Sequence, residues 1–135
     1  MTLSPTLLAF PVAIPLAFAA LAEAATGVAL IVVPSLVARV LLGTELTGVA
    51  IPVGRVAGIS LLSLAIACWT GKQPSHAALG GMAIYSLLVT LYLLYLGIRG
   101  EFVGPLLWPA AALHAVLTLL LARAWFRERI GSPPV

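Results

Sequence analysis

The chain has 135 residues, of which 62% are hydrophobic and only 8% are charged. Soluble domains carry about 25% charged residues, so this composition excludes an ordinary soluble domain and indicates one integral membrane domain, residues 1–135. The net charge of +3 is spread thinly along the chain. Nucleic acid is therefore not an expected partner, because phosphate binding needs clustered basic groups.

The first apolar segment, residues 16–33, contains a single ionisable side chain, that of Glu23. Its length approaches the ~20 residues that a helix needs to cross ~30 Å of hydrocarbon, with Pro15 suited to the first turn. An acid inside a span costs roughly 2.5 to 3.5 kcal/mol on insertion scales, so Glu23 should face protein, water or a partner charge. A secretory signal ending near Ala22 is the alternative, but no Lys or Arg precedes the apolar stretch, which continues to Val33.

Three further spans are predicted, at residues 49–70, 76–98 and 104–124. Between the first two, Pro34 and Gly43 delimit a short helix over residues 34–42, which is too short to span and is expected in the interface. The predicted fold class is therefore all-α, a four-transmembrane-helix bundle with a short interfacial helix between spans 1 and 2.

Basic residues predict the orientation of this bundle. An even number of spans puts both termini on one side, and the basic residues on that side outnumber those on the other; they are Lys72, Arg123, Arg127 and Arg129 against Arg39 and Arg99. The positive-inside rule then places both termini in the cytoplasm, with the bacterial inner membrane as the expected location.

Each predicted span carries one polar residue at a similar depth. Counted from the outer ends of the spans at about 1.5 Å per residue, Glu23 lies ~15 Å deep, Arg55 ~10 Å, His114 ~14 Å and Thr90 roughly 10 Å. A pair between Glu23 and Arg55 would offset both charges, since arginine cannot escape by deprotonating. His114 would then donate to Glu23 or accept from Thr90.

Three interpretations of this intramembrane polar cluster remain open. In the first, the cluster is a satisfied polar clamp that fixes helix register. In the second, it is a proton or ligand site in which Glu23 or His114 titrates. In the third, Arg55 extends to the membrane surface and never meets Glu23.

Other candidate residues favour packing over chemistry. Gly54 and Gly58 form a small-xxx-small pattern that lets another helix approach closely.

His114 and His76 are predicted on opposite sides of the membrane, so no metal or haem site and no cofactor is expected. The single cysteine, Cys68, excludes an internal disulfide and is most simply a buried small residue. No phosphate loop or Ser-His-acid set is present, which predicts a protein that is not an enzyme. The three tyrosines are interpreted as packing and interfacial residues rather than a cofactor shelf; they are Tyr85, Tyr92 and Tyr95.

Four segments together resemble small uncharacterised bacterial four-helix integral membrane proteins: residues 21–27, 34–39, 54–58 and 107–114, which read LAEAATG, PSLVAR, GRVAG and LWPAAALH. In size and span count the chain is more distantly similar to DoxX-like membrane proteins. The resemblance implies a four-span fold and carries no catalytic motif.

Two functional hypotheses follow. The first is a non-enzymatic membrane protein, an accessory or self-associating subunit whose partners are the lipid bilayer and a homo-oligomer or larger membrane complex. The second is a small proton-linked or solute transport protein that uses Glu23, Arg55 and His114. A membrane enzyme acting on lipid or quinone would need an open lateral cleft beside His114.

Overall fold

Helices account for the regular structure of the part of the chain that the computed structural model describes, residues 5–69 and 75–131. In chain order they are α1 (Pro5–Val32), α2 (Pro34–Leu42), α3 (Ala50–Trp69), α4 (His76–Arg99) and α5 (Leu107–Gly131). All except α2 contain a segment long and apolar enough to cross a membrane, namely Ile14–Val32, Ala50–Trp69, His76–Arg99 and Leu107–Arg127. The predicted all-α bundle of four transmembrane helices with a short helix after the first is confirmed.

The bundle consists of two closely packed helix pairs, α1 with α3 and α4 with α5, which α1 joins by also contacting α4 and α5. The apolar core lies where the three helices α1, α4 and α5 meet, and its buried members are Leu16, Ala19, Leu79, Met82, Leu117, Leu121 and Ala124. Helix α3 stands at the edge of the bundle. Only 11% of its span is buried inside the protein, against 28% for each of the other three spans.

Two glycines bring α1 and α3 together. A Cβ atom on Gly58 would lie 2.6 Å from the backbone oxygen of Gly27, and one on Gly27 would lie 2.7 Å from that of Gly58. Helices approach this closely only where neither carries a side chain at the contact. Because the helices are antiparallel, the contact places Glu23 level with Leu62, each four residues from its glycine.

Helix α2 has the bounds expected from its sequence, with Pro34 in the first turn and Gly43 at φ 75° after the last. It is tied to the connection between α4 and α5, where the amides of Gly104 and Leu106 donate to the carbonyls of Leu41 and Val40 at 3.0 and 2.8 Å. These bonds explain why α5 begins at Leu107 and not at residue 104. The side of the bundle that contains α2 and the start of α3 is called the α2 end. The opposite side, where α1 begins and α5 ends, is called the terminal end.

Helix α1 begins earlier than expected. The first span was predicted from residue 16, whereas the helix starts at Pro5 and passes through Pro11 and Pro15. Each of these prolines lacks the amide proton that would bond to the preceding turn. The apolar segment long enough to span the membrane nonetheless starts at Ile14, close to the predicted boundary.

Candidate functional site

Glu23 is buried among three helices. Its exposed fraction is 3%, and it lies one turn beyond Ala19 of the apolar core, where α1 meets α4 and α5. A carboxyl group taken out of water needs polar partners because its desolvation is otherwise uncompensated. Glu23 therefore faces the interior of the protein and not lipid.

Tyr85 on α4 supplies the first partner. Its Oη donates a hydrogen bond of 2.9 Å to Glu23 Oε2. This distance is normal for a hydroxyl donor. One oxygen of the buried carboxyl is thus satisfied from a helix other than its own.

His114 on α5 faces the other carboxyl oxygen. Its Nε2 lies 3.9 Å from Glu23 Oε1, and its ring meets that of Tyr85 edge to face with the centroids 6.0 Å apart. The distance exceeds a hydrogen bond, and a shift of about 1 Å would form one. Among the residues whose contacts the structure describes, buried Nδ1 of His114 has no hydrogen-bond partner.

We name Glu23, Tyr85 and His114 the polar triad. Each residue comes from a different helix, so the triad joins α1 to both members of the α4–α5 pair. A carboxyl, a phenol and an imidazole can exchange or share protons, and they can equally serve as fixed donors and acceptors that specify how helices pack.

The expected pair between Glu23 and Arg55 does not form. The Arg55 side chain is exposed, and no ion pair to it occurs among residues 14–69 and 75–127, the range whose side chains are described. The reason is the helix register. With Glu23 level with Leu62, Arg55 stands seven residues nearer the α2 end, about 10 Å along the axis.

Thr90 does not meet His114 either. Its Oγ1 donates to the backbone oxygen of Ser86 at 2.8 Å, one turn back on its own helix. Both residues are buried, and within the described part of the chain Oγ of Ser86 has no hydrogen-bond partner. The candidate cluster of Glu23, Arg55, Thr90 and His114 is therefore brought together only at Glu23 and His114.

The two glycines of the small-xxx-small pattern act within this chain. Gly58 contacts Gly27 of α1, whereas Gly54 faces the α2 end, where an added Cβ would lie 3.0 Å from Leu46 Cδ1 and 3.3 Å from Pro34 Cβ. The pattern thus holds α3 against α1 and α2.

Tyr85 is the partner that sequence reasoning missed. It was grouped with Tyr92 and Tyr95, which are exposed and stacked on each other with centroids 6.4 Å apart. Depth would have separated them, since Tyr85 lies near the middle of its span and Tyr95 near its end. A phenol in mid-span cannot reach the interface and needs an acceptor inside the protein.

Two apolar clefts open on the sides of the bundle within the part of the chain that the structure describes. One, of about 240 Å³, lies between α1 and α3 and is lined by Ala20, Leu21, Ala24, Ala65, Ile66 and Trp69. The other, of about 230 Å³, lies between α4 and α5 and is lined by Gly80, Ala83, Ile84, Leu87, Thr118, Ala122, Trp125 and Phe126. Neither cleft is lined by a member of the polar triad.

No protein-family model, curated protein or solved structure matches this chain. The resemblance to DoxX-like membrane proteins therefore stays a prediction. Among the described residues, no group of three or more His, Cys, Asp or Glu is placed to hold a metal ion.

Proposed function

We propose that this is a non-enzymatic integral membrane protein that serves as an accessory or self-associating subunit, with the polar triad as its internal clamp. The observation that carries the proposal is that Glu23, the buried acid, is turned inward and bonded to Tyr85. A side chain used in this way specifies helix packing and leaves the membrane-facing surface apolar.

The triad suits a clamp because each member belongs to a different helix. The core beside it is built from alanine and leucine with one methionine, and apolar side chains of this kind gain little from leaving lipid for protein. A hydrogen bond between α1 and α4 supplies the specificity that such packing lacks. Its loss would let α1 shift relative to the α4–α5 pair.

The surface available for association lies within the membrane. The first two spans are joined by α2 and residues 43–49, and the others by residues 70–75 and 100–106, so the connections offer little room for a soluble partner. Helix α3 exposes much of its apolar surface, with Val53 65% and Val56 62% exposed. In a bilayer this surface meets either lipid or another helix, which supports a subunit role.

The same proposal places the protein in a bacterial inner membrane with cytoplasmic termini. The support is the distribution of basic residues: Arg123 and Arg127 lie near the end of α5, at the terminal end, and Lys72 falls between α3 and α4 in the sequence. Arg39 and Arg99 lie at the α2 end. Protease protection of a C-terminal tag in inside-out vesicles tests this orientation.

Transport is the second candidate, and one specific contact favours it. Glu23 Oε1 and His114 Nε2 face each other at 3.9 Å, so two groups able to hold a proton lie side by side. Four spans enclose little volume, and a transport path would therefore require an oligomer.

One pair of variants separates the two functions. Glu23→Gln is compared with Glu45→Gln, which makes the same substitution at an exposed acid. Oligomeric state is measured by light scattering in detergent, and pH-dependent flux is measured in liposomes. Impaired assembly of Glu23→Gln without flux in any protein supports the subunit proposal. Flux in the unmodified protein that Glu23→Gln abolishes, with assembly unchanged, would replace it with transport.

A further inference from the structure

Arg55 carries an exposed positive charge on an apolar helix. The other two described arginines at the α2 end are paired, Arg39 with Glu45 and Arg99 with Glu101. Arg55 has no such partner among the side chains that the structure describes. Because a guanidinium stays protonated at any relevant pH, this charge needs an anion or water nearby.

The chain itself has no acid to spare for Arg55. Of its four acids, Glu23 is buried in the polar triad, and Glu45 and Glu101 are each bonded to another arginine. The fourth, Glu128, belongs to the last turns of α5 at the terminal end, on the far side of the bundle. An anion that pairs with Arg55 therefore comes from outside the chain.

The guanidinium of Arg55 can reach the depth of lipid headgroups. It lies five residues into α3, about 8 Å along the helix, and its neighbour Gly54 is level with Pro34 and Leu46 at the α2 end. An arginine so close to the end of a span can extend its guanidinium to the headgroup layer while its methylene groups stay in hydrocarbon.

The helix start does not compete for this anion. The amides of Ala50, Ile51 and Val53 already donate to Thr47, Gly48 and Val49, and Pro52 has no amide proton. The guanidinium of Arg55 is a charged donor near this end of α3, and its planar fork matches the oxygens of a phosphate group.

We infer that Arg55 binds the phosphate of an anionic phospholipid whose acyl chains lie along the exposed side of α3. The neighbouring side chains are apolar and exposed, as the acyl chains require, and they include Val53, Val56 and Ile59. The site shares no residue with the polar triad, and it assigns to lipid part of the exposed α3 surface that the proposed subunit role would use for association.

Native mass spectrometry tests the inference with phosphatidylglycerol as the probe. The full chain is released from micelles that contain phosphatidylglycerol and phosphatidylcholine, and retained lipid is counted for the unmodified protein, Arg55→Gln and Arg39→Gln. The two variants lose the same charge at the same end of the bundle, which makes Arg39→Gln the matched control. We expect roughly fivefold weaker phosphatidylglycerol retention in Arg55→Gln alone.

Further arms identify the source of the anion. Arg55→Lys, which keeps the charge, should retain more phosphatidylglycerol than Arg55→Gln, and excess inorganic phosphate should not displace the lipid. Equal retention in Arg55→Gln and Arg39→Gln overturns the inference. Displacement by inorganic phosphate would assign the site to a dissolved anion. A change of oligomeric state in Arg55→Gln with unchanged lipid retention would assign it to a carboxylate of another protein.

Discussion

Tyr85 and Glu23, separated by 62 residues along the chain, are joined by a hydrogen bond of 2.9 Å inside the bundle. The bond links α4 to α1, two helices that otherwise make few contacts with each other. Together with the apolar core shared by α1, α4 and α5, it fixes how the α1–α3 pair sits on the α4–α5 pair. This bond is the strongest contact within the polar triad. His114 is the weaker third member, because its Nε2 lies 3.9 Å from Glu23 Oε1.

Removing the phenol hydroxyl should destabilise the bundle. Tyr85→Phe keeps the ring and leaves Glu23 Oε2 without its donor, so we expect a loss of about 1.5 to 3 kcal/mol in the free energy of unfolding. Reversible unfolding in mixed micelles with increasing SDS measures it. Tyr92→Phe is the control, because Tyr92 is exposed and should change stability by less than about 0.5 kcal/mol. Equal effects of the two substitutions would mean that the buried bond contributes nothing.

The glycine contact between α1 and α3 should not tolerate a side chain. In Gly58→Ala the new Cβ would lie 2.6 Å from Gly27 O and 2.8 Å from Leu30 Cβ, so the helices must separate. We expect a loss of about 1 to 3 kcal/mol in the same unfolding measurement.

Gly81→Ala provides the matched control for this contact. A Cβ at Gly81 meets no atom within 4 Å, so the substitution should gain up to about 1 kcal/mol from helix propensity. A stable Gly58→Ala protein with unchanged proximity of α1 and α3 by disulfide crosslinking would show that the close approach is not required.

Helix bounds that depend on local contacts could be predicted from the sequence, whereas bounds that depend on long-range contacts could not. Helix α2 was predicted with its observed bounds because Pro34 and Gly43 act on their own backbone. The predicted start of α5 at residue 104 is three residues too early, because the amides of Gly104 and Leu106 bond to α2. The local sequence contains no pattern that predicts this contact.

Side-chain partners were harder to predict than helices. Depth counted from the span ends puts Glu23 and Arg55 within about 5 Å of each other. The contact of Gly27 with Gly58 sets the actual register of the two helices and separates these residues further. Tyr85 was overlooked because hydropathy treats all three tyrosines alike. Only their depth in the span distinguishes the one that must find a buried acceptor.

His114 should contribute less to stability than Tyr85. Its Nε2 lies beyond hydrogen-bond distance from Glu23, and Nδ1 has no described partner. Replacing it by a leucine removes an unsatisfied buried nitrogen, so we expect His114→Leu to cost less than Tyr85→Phe or to stabilise the protein. The same unfolding series measures both. A larger loss for His114→Leu would show that the carboxyl–imidazole contact is the stronger link.

The exposed ion pair at the α2 end should contribute little. Arg39 and Glu45 are bonded to each other, but both side chains are more than half exposed. We expect Glu45→Gln to change the free energy of unfolding by less than about 1 kcal/mol, and the change should shrink further in high salt. A loss comparable to that of Tyr85→Phe would mean that this pair, rather than the buried triad, holds the bundle together.

The clamp is tested most directly by a double-mutant cycle between Glu23→Leu and Tyr85→Phe. The free energy of unfolding of each protein is measured by SDS titration in mixed micelles. Each single substitution leaves one buried polar group unpaired, whereas the double variant replaces both by apolar groups of similar shape. We predict a coupling of about 1 kcal/mol or more, with the double variant less destabilised than the sum of the two single variants. Additive losses, with coupling below about 0.3 kcal/mol, would contradict the claim that this bond joins α1 to α4.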